Sequence, residues 1–380
     1  MRRTTRIVAA IAAALAAAGA ARAQERPRQG VTARVAGYAD DDSTYVARPH
    51  VAGRAWIDEW TIGGSYSADV VSSASIDVVT RASRPIEEAR HQLEADLSWA
   101  GERGATIGGA YLFAIEPDFE THALSLRAGT DLDDERMWHG SVLLTGSTNR
   151  IGAVIDPRFE ERSYTAQLGL ALARIFGPST LGRATLEGSL TSGFQASAYR
   201  TVRLGAWEAA RYTGGDPDAG LWVFTGVTGI ARERHPELRV RGRATIEAVH
   251  DLGDAFALLG RAAGYLDDWG IAAADLSAEL RWEPAPALLL RLGARVYVQG
   301  SAWFWQARYG SPDGVGGYLT DDKELGPMRS YTIMLAAGIP VDEVRLELRA
   351  DGTRYEHPSF TLLPEKHALA VQMGVSWAPR

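Results

Sequence analysis

The most recognisable chemistry in the sequence is His139-Gly140-Ser141. In an extended segment, residues two apart share a face, so the imidazole would lie beside the hydroxyl. That is the start of a base and nucleophile pair for ester hydrolysis. No Asn or acid is recognisable as an orienting partner, and two polar wall residues are the plainer reading. The eight histidines show no metal-ligand spacing. The absence of cysteine removes thiol nucleophiles, zinc-thiolate clusters, disulfides and a lipidated N-terminal Cys. Asp40-Asp41-Asp42 and Asp133-Asp134 read as solvated acidic turns; only the first could hold Ca²⁺, and weakly. The sequence therefore assigns no catalytic residue, cofactor or metal ligand.

A second set of charges is patterned. Arg239, Arg241, Arg243 and Glu247 alternate with apolar or small residues, as do Asp275 and Glu279, Arg291 and Arg295, and Arg345, Glu347 and Arg349. The element that carries them is a strand. From Leu288 to Val298 every second residue is apolar, while Arg291, Gly293, Arg295, Tyr297 and Gln299 fill the other register. A period of two excludes helix. Units of about ten residues recur with turn residues between them, the pattern of an outer-membrane β-barrel whose apolar face meets lipid.

The sequence divides into a cleavable signal over 1–23, a periplasmic lead-in over 24–30 and a barrel over 31–380. Met1 to Arg6 is basic, Ile7 to Ala20 apolar, and Ala21-Arg22-Ala23 fits a small-x-small cleavage site. Beyond that segment no uninterrupted apolar run is long enough to span a bilayer as helix. The net charge of -7 becomes about -11 without Arg2, Arg3, Arg6 and Arg22, which argues against a nucleic-acid partner. About sixteen strands are expected, with 14 to 18 as the range. The first two are the weakest, because Pro49 cannot donate to a ladder. Short connections at 57–59, 101–103, 131–135, 176–179, 251–253, 283–285 and 340–342 alternate with long ones at 72–88, 147–160, 195–237, 300–328 and 355–366. That separation matches periplasmic turns and extracellular loops. Leu221-Trp222-Val223-Phe224 looks strand-like and suggests an extra hairpin inside 195–237. Trp56, Trp60, Trp99, Trp138, Trp282 and Trp377 fall at one strand end and Trp269, Trp303 and Trp305 at the other, as two interfacial girdles. The cluster Trp303, Phe304, Trp305, Tyr309 and Tyr318 reads as girdle or loop packing before a ligand-stacking rim.

With lipid on the apolar register, the patterned charges line the lumen. Charge at membrane depth must be paired or watered. A hairpin centred on Ala285 predicts Asp275 opposite Arg295 and Glu279 opposite Arg291. The same ladder fits a water-filled pore or an ion-pair lattice bracing the wall. The stripe Arg239, Arg241, Arg243 hints at anion preference.

Tyr66-Ser67-Ala68-Asp69-Val70-Val71-Ser72-Ser73-Ala74-Ser75-Ile76-Asp77-Val78-Val79-Thr80, followed by Glu88-Ala89-Arg90-His91, resembles the domain-of-unknown-function 3570 family of bacterial outer-membrane barrels. Glu116-Pro117-Asp118-Phe119, Asp267-Asp268-Trp269-Gly270 and Tyr318-Leu319-Thr320 are similar too. The resemblance implies location and fold; the family carries no established activity. It sets Asp69, Ser72, Ser75 and Asp77 at the outer end of the third strand and in the loop after it, as a structural loop fold or a binding feature.

The expectation is an all-β transmembrane antiparallel barrel in the outer membrane, embedded in its lipid and passing small solutes passively or with weak selectivity. The alternative is a plugged barrel for surface interaction or envelope architecture. A lipid hydrolase using Ser141 is a distant third. Nothing in the sequence marks an oligomeric interface.

Overall fold

The computed structural model describes residues 29–73, 86–211, 222–253, 255–360 and 363–378. Its strands are β1 (Gln29–Asp40), β2 (Thr44–Ile57), β3 (Trp60–Ser73), β4 (Ile86–Ala100), β5 (Thr106–Ile115), β6 (Phe119–Asp131), β7 (Trp138–Gly152), β8 (Glu160–Gly177) and β9 (Thr180–Gly193). They continue with β10 (Thr201–Arg211), β11 (Trp222–Arg232), β12 (Leu238–Gly253), β13 (Phe256–Asp267), β14 (Ala272–Ala285), β15 (Leu288–Gln299), β16 (Met328–Val341), β17 (Val344–Glu356) and β18 (Glu365–Trp377). Sixteen of these close a single antiparallel barrel in chain order, with β9 beside β12 and β18 beside β1. The extra hairpin exists, but β10 and β11 form a separate two-stranded sheet outside the wall, with a bridge from Leu204 to Tyr309. The wall therefore keeps its sixteen strands. Gln29 and Gly30, read as lead-in, already pair with β2.

Alternation decides the facing. Leu124, Leu186, Ile246, Leu276, Leu292, Ile333, Leu348 and Leu369 are exposed apolar residues of the outer register, a band that requires lipid. Its lower edge is marked by Trp60 opposite Trp99 and by Trp282 stacked on Phe256 with ring centroids 5.8 Å apart. Trp56 departs from that belt: it pairs with Thr61 on the inward register. Of the three tryptophans expected at the upper edge only Trp303 is exposed, and its ring packs edge-on against Phe304 and Tyr318. Trp269 is buried, and Trp305 is drawn inward by a hydrogen bond to the Asp322 carbonyl (2.7 Å). Outward tyrosines Tyr66, Tyr111, Tyr164 and Tyr331 occupy that height instead, about half exposed, and the hydroxyls of Tyr66 and Tyr111 meet His91 (2.9 Å) and His122 (2.6 Å).

Short connections close the lower rim. The β2–β3 and β16–β17 turns have two residues each, and Asp58 and Asp342 adopt the left-handed conformation there (φ 50° and 52°), which Asp tolerates in tight turns. Pro49 sits inside β2, and its effect is local. Ladder pairs run from Ala47↔Val70 to His50↔Ser67 and skip the two residues between. Arg48 bridges the gap with a two-toothed ion pair to Asp69.

The β10–β11 hairpin and residues 300–327 form a cap over the opposite mouth. Val202 and Leu204 of β10 pack on Tyr309 and Leu319, while Trp269, Ile271, Ala302 and Phe304 form a second buried cluster. Burial of Phe304 and Leu319 is complete. This is a small core built from β10, the β13–β14 connection and residues 300–327.

Candidate functional site

Between the cap and the upper wall lies an open cavity of about 850 Å³. Its lining comes from strands far apart in the ring. Asn149, Ser163 and Thr165 stand on one side, Arg239, Arg241, Tyr265 and Tyr297 on another, and Gln195, Tyr199 and Glu324 come from the cap. A lining that spans so many strands fixes the patterned register as the luminal one. Within it, Arg239 is bound to Asp267 (2.6 Å) and lies over the Trp269 ring at 4.2 Å. Arg241 has no ion-pair partner among the described residues, and its Nε is buried without a hydrogen bond.

Below the cavity, Asp275 is shared by Arg243 (3.5 Å), Arg261 (3.2 Å) and Arg295 (3.6 Å). Glu247 meets Arg261 at 3.2 Å, Arg345 meets Glu347 at 3.2 Å and Arg349 meets Asp351 at 2.8 Å. The Asp275–Arg295 pair forms diagonally, because Asp275 faces Tyr297 and Arg295 faces Ser277. The second expected pair does not form. Glu279 is opposite Gly293 and takes Arg281 of its own strand (2.8 Å), leaving Arg291 opposite Arg281 with its Nε unbonded. The cause is the turn: β14 runs on to Ala285 with an irregularity after Trp282, which slides the register by two residues and preserves the facing.

The cap is tied down by polar contacts. Glu233 is its hub, accepting from the Ser197 N–H (2.9 Å) and the Thr320 hydroxyl (2.5 Å) beside His235 at 3.3 Å. Burial pushes the Glu233 carboxyl up, but His235, Arg200 and Thr320 outweigh it and hold it down to about 2. Arg200 grips Asp322 (2.7 Å), Lys323 reaches Asp42 (3.4 Å), and the Tyr199 hydroxyl donates to Asp118 while accepting from the Val154 N–H (2.8 Å). The loops thereby reach across the mouth to the β1–β2, β5–β6 and β7–β8 connections.

Other expected residues fall elsewhere. Asp69 is held by Arg48, Ser72 is exposed near the end of β3, and Ser75 and Asp77 lie outside the described residues. Asp40 takes Lys366 at 3.1 Å and the Asp41 carboxylate accepts from the His367 N–H, so this acidic turn is bound up in ion pairs and hydrogen bonds of its own. His139 does have an acid, Asp131 on the neighbouring strand at 3.0 Å, which linear spacing could not reveal. No hydrogen bond joins His139 to Ser141, and both face the lumen, away from lipid esters. Phe304 and Tyr309 serve loop packing.

A family model described as a protein of unknown function (DUF3570) matches residues 12–376. The chain belongs to that family. No curated protein matches the sequence. Among solved structures, the DUF3570 chain is similar to CdiB from Acinetobacter baumannii at TM-score 0.50 and 8% identity, covering 94% of this chain and 61% of that one. A bacterial polysaccharide outer membrane secretin gives TM-score 0.49 and 9% identity over 92% and 98%. The siderophore receptor PirA from Pseudomonas aeruginosa gives 0.45 and 10% over 88% and 57%. The chain thus spans under two thirds of the receptor and of CdiB. At these identities the likeness is one of fold. The DUF3570 barrel is a protein of the bacterial outer membrane.

Proposed function

We propose that the barrel is a size-limited channel for small hydrophilic solutes, narrowed at its outer mouth by the folded cap. One observation carries this reading. The inward arginines below the cavity keep much of their surface in contact with water, at 39% for Arg243, 42% for Arg295, 45% for Arg345 and 46% for Arg349. A barrel filled by its own side chains would bury them. A sixteen-strand wall is wide enough for an aqueous lumen, and the charges remain tolerable there because they are both paired and hydrated. Solutes would pass through a ring of mixed sign, which favours permeation by size over strong ion selection.

Planar-bilayer recording on the refolded protein tests this. Small, stable conductance steps are expected, growing several-fold when residues 300–327 are replaced by a short Gly-Ser link. Silence from folded protein both before and after that replacement would end the channel reading. The packed cluster around Phe304 favours a second reading, a closed barrel that displays its loops; its signature is silence that only the replacement relieves.

A further inference from the structure

The stripe of three arginines resolves into two neutralised side chains and one free one. Arg239 belongs to Asp267 and Arg243 to Asp275. Between them Arg241 faces the cavity with a buried, unbonded Nε and no carboxylate in ion-pair range among the described residues. A guanidinium kept partly out of water without an anion is an energetic liability that a carboxylate ligand relieves with a charge-assisted, two-toothed bond.

The cavity's acids gather elsewhere. Glu88 of β4, with Glu116 and Asp118 of the β5–β6 turn, lies across the ring from β12, with β5 to β9 between. Among the described residues, Glu116 alone of these three has a cationic partner, Arg90 at 3.6 Å. Burial pushes the Glu116 carboxyl up; Arg90 draws it back and Asp118 pushes it further. Burial also raises Asp118. Crowded, desolvated carboxylates favour an arriving cation. Asp322 is occupied by Arg200, and Glu324 adds one more acid on the cap side.

We propose that the cavity is a binding site for small zwitterions, solutes carrying one ammonium and one carboxylate, with the carboxylate on Arg241 and the ammonium at the Glu88 and Asp118 wall. The volume lies within the range of small-molecule pockets, about 300–1,000 Å³. Extended triglycine, about 10 Å long, carries its two charges at opposite ends, matching the opposite signs of the two walls. This deepens the channel reading and rests on it, since the site lies on the path that solutes would take.

The test is calorimetric titration of the folded barrel in detergent with triglycine, N-acetyl-triglycine, which lacks the ammonium, and triglycine amide, which lacks the carboxylate. Triglycine should bind more tightly than either capped form by about tenfold or more. Arg241→Gln should erase the preference over the amide and leave the preference over the acetyl form. Glu88→Gln should do the reverse, with Arg241→Lys as a charge-keeping control and heat-modifiable gel mobility confirming folding. Equal binding of all three probes, no binding of any, or a variant that alters both preferences alike overturns the proposal. Conductance on the same preparation separates the two readings. Zwitterion selectivity without conductance removes only the channel; conductance without selectivity removes only this site.

Discussion

Asp275 concentrates more of the lumen's charge than any neighbour, because one carboxylate serves three guanidiniums from three strands. Substituting Asp275→Asn leaves Arg243, Arg261 and Arg295 facing one another. The arginines are partly hydrated, so the loss should be about 1–3 kcal/mol rather than the full cost of breaking a buried pair. A lowered urea midpoint in lipid vesicles checks this, as does a reversal potential shifted toward anions. Glu233 makes a pH prediction. Its folded carboxyl sits near 2, below the ordinary 4.5, so its contribution to the cap is present above about 4.5 and fades as pH falls toward 2. Amide exchange in 300–327 should accelerate across that window, and Glu233→Gln should flatten the response. That Asp275 would meet Arg295 could be read from period and sign, yet Glu279 could not be placed. Residues two apart on one strand share a face, so Arg281 competes with any cross-strand partner and wins when the register slides.

The strands were legible because lipid on one side and water on the other impose a strict period, and a turn miscount would have mixed short connections with long ones. The cap was not legible. Its core joins residues about a hundred positions apart, such as Val202 and Tyr309, through loops with no repeat to betray which side chains point inward. Trp269 and Trp305 were misplaced for that reason: aromatic residues near a rim serve an interface or a loop core equally well on paper. Phe304→Ala should loosen the cap by about 3–5 kcal/mol, as for other buried aromatic truncations. Limited proteolysis should then cut within 300–327 while the barrel keeps its heat-modifiable mobility, since the wall's ladders do not pass through that cluster. The β10–β11 hairpin illustrates the same division, with strand-forming sequence that pairs within itself and bridges Tyr309 of the cap but never joins the wall.

At the scale of the whole molecule, the outer surface is the stabilising contact. Leu292 lies mid-strand on the lipid register, and Leu292→Arg should cost about 2–4 kcal/mol of unfolding free energy in a bilayer, far more than the same change at a luminal position. Denaturant titration in vesicles measures the difference directly. Family and location followed from period, sidedness and one long segment around Asp69, whereas the solute did not, because selectivity resides in a few side chains set by register and loop packing.

The seam between β1 and β18 holds ten residue pairs, from Val31↔Trp377 to Asp40↔Ala368. The earliest-made stretch of the wall, matched on one edge by β2, must therefore wait with the amide groups of its other edge unmatched until the last-made stretch arrives. A chain cut short anywhere before Glu365 would be left with two raw margins instead of a cylinder, which makes completion of synthesis itself the checkpoint for insertion.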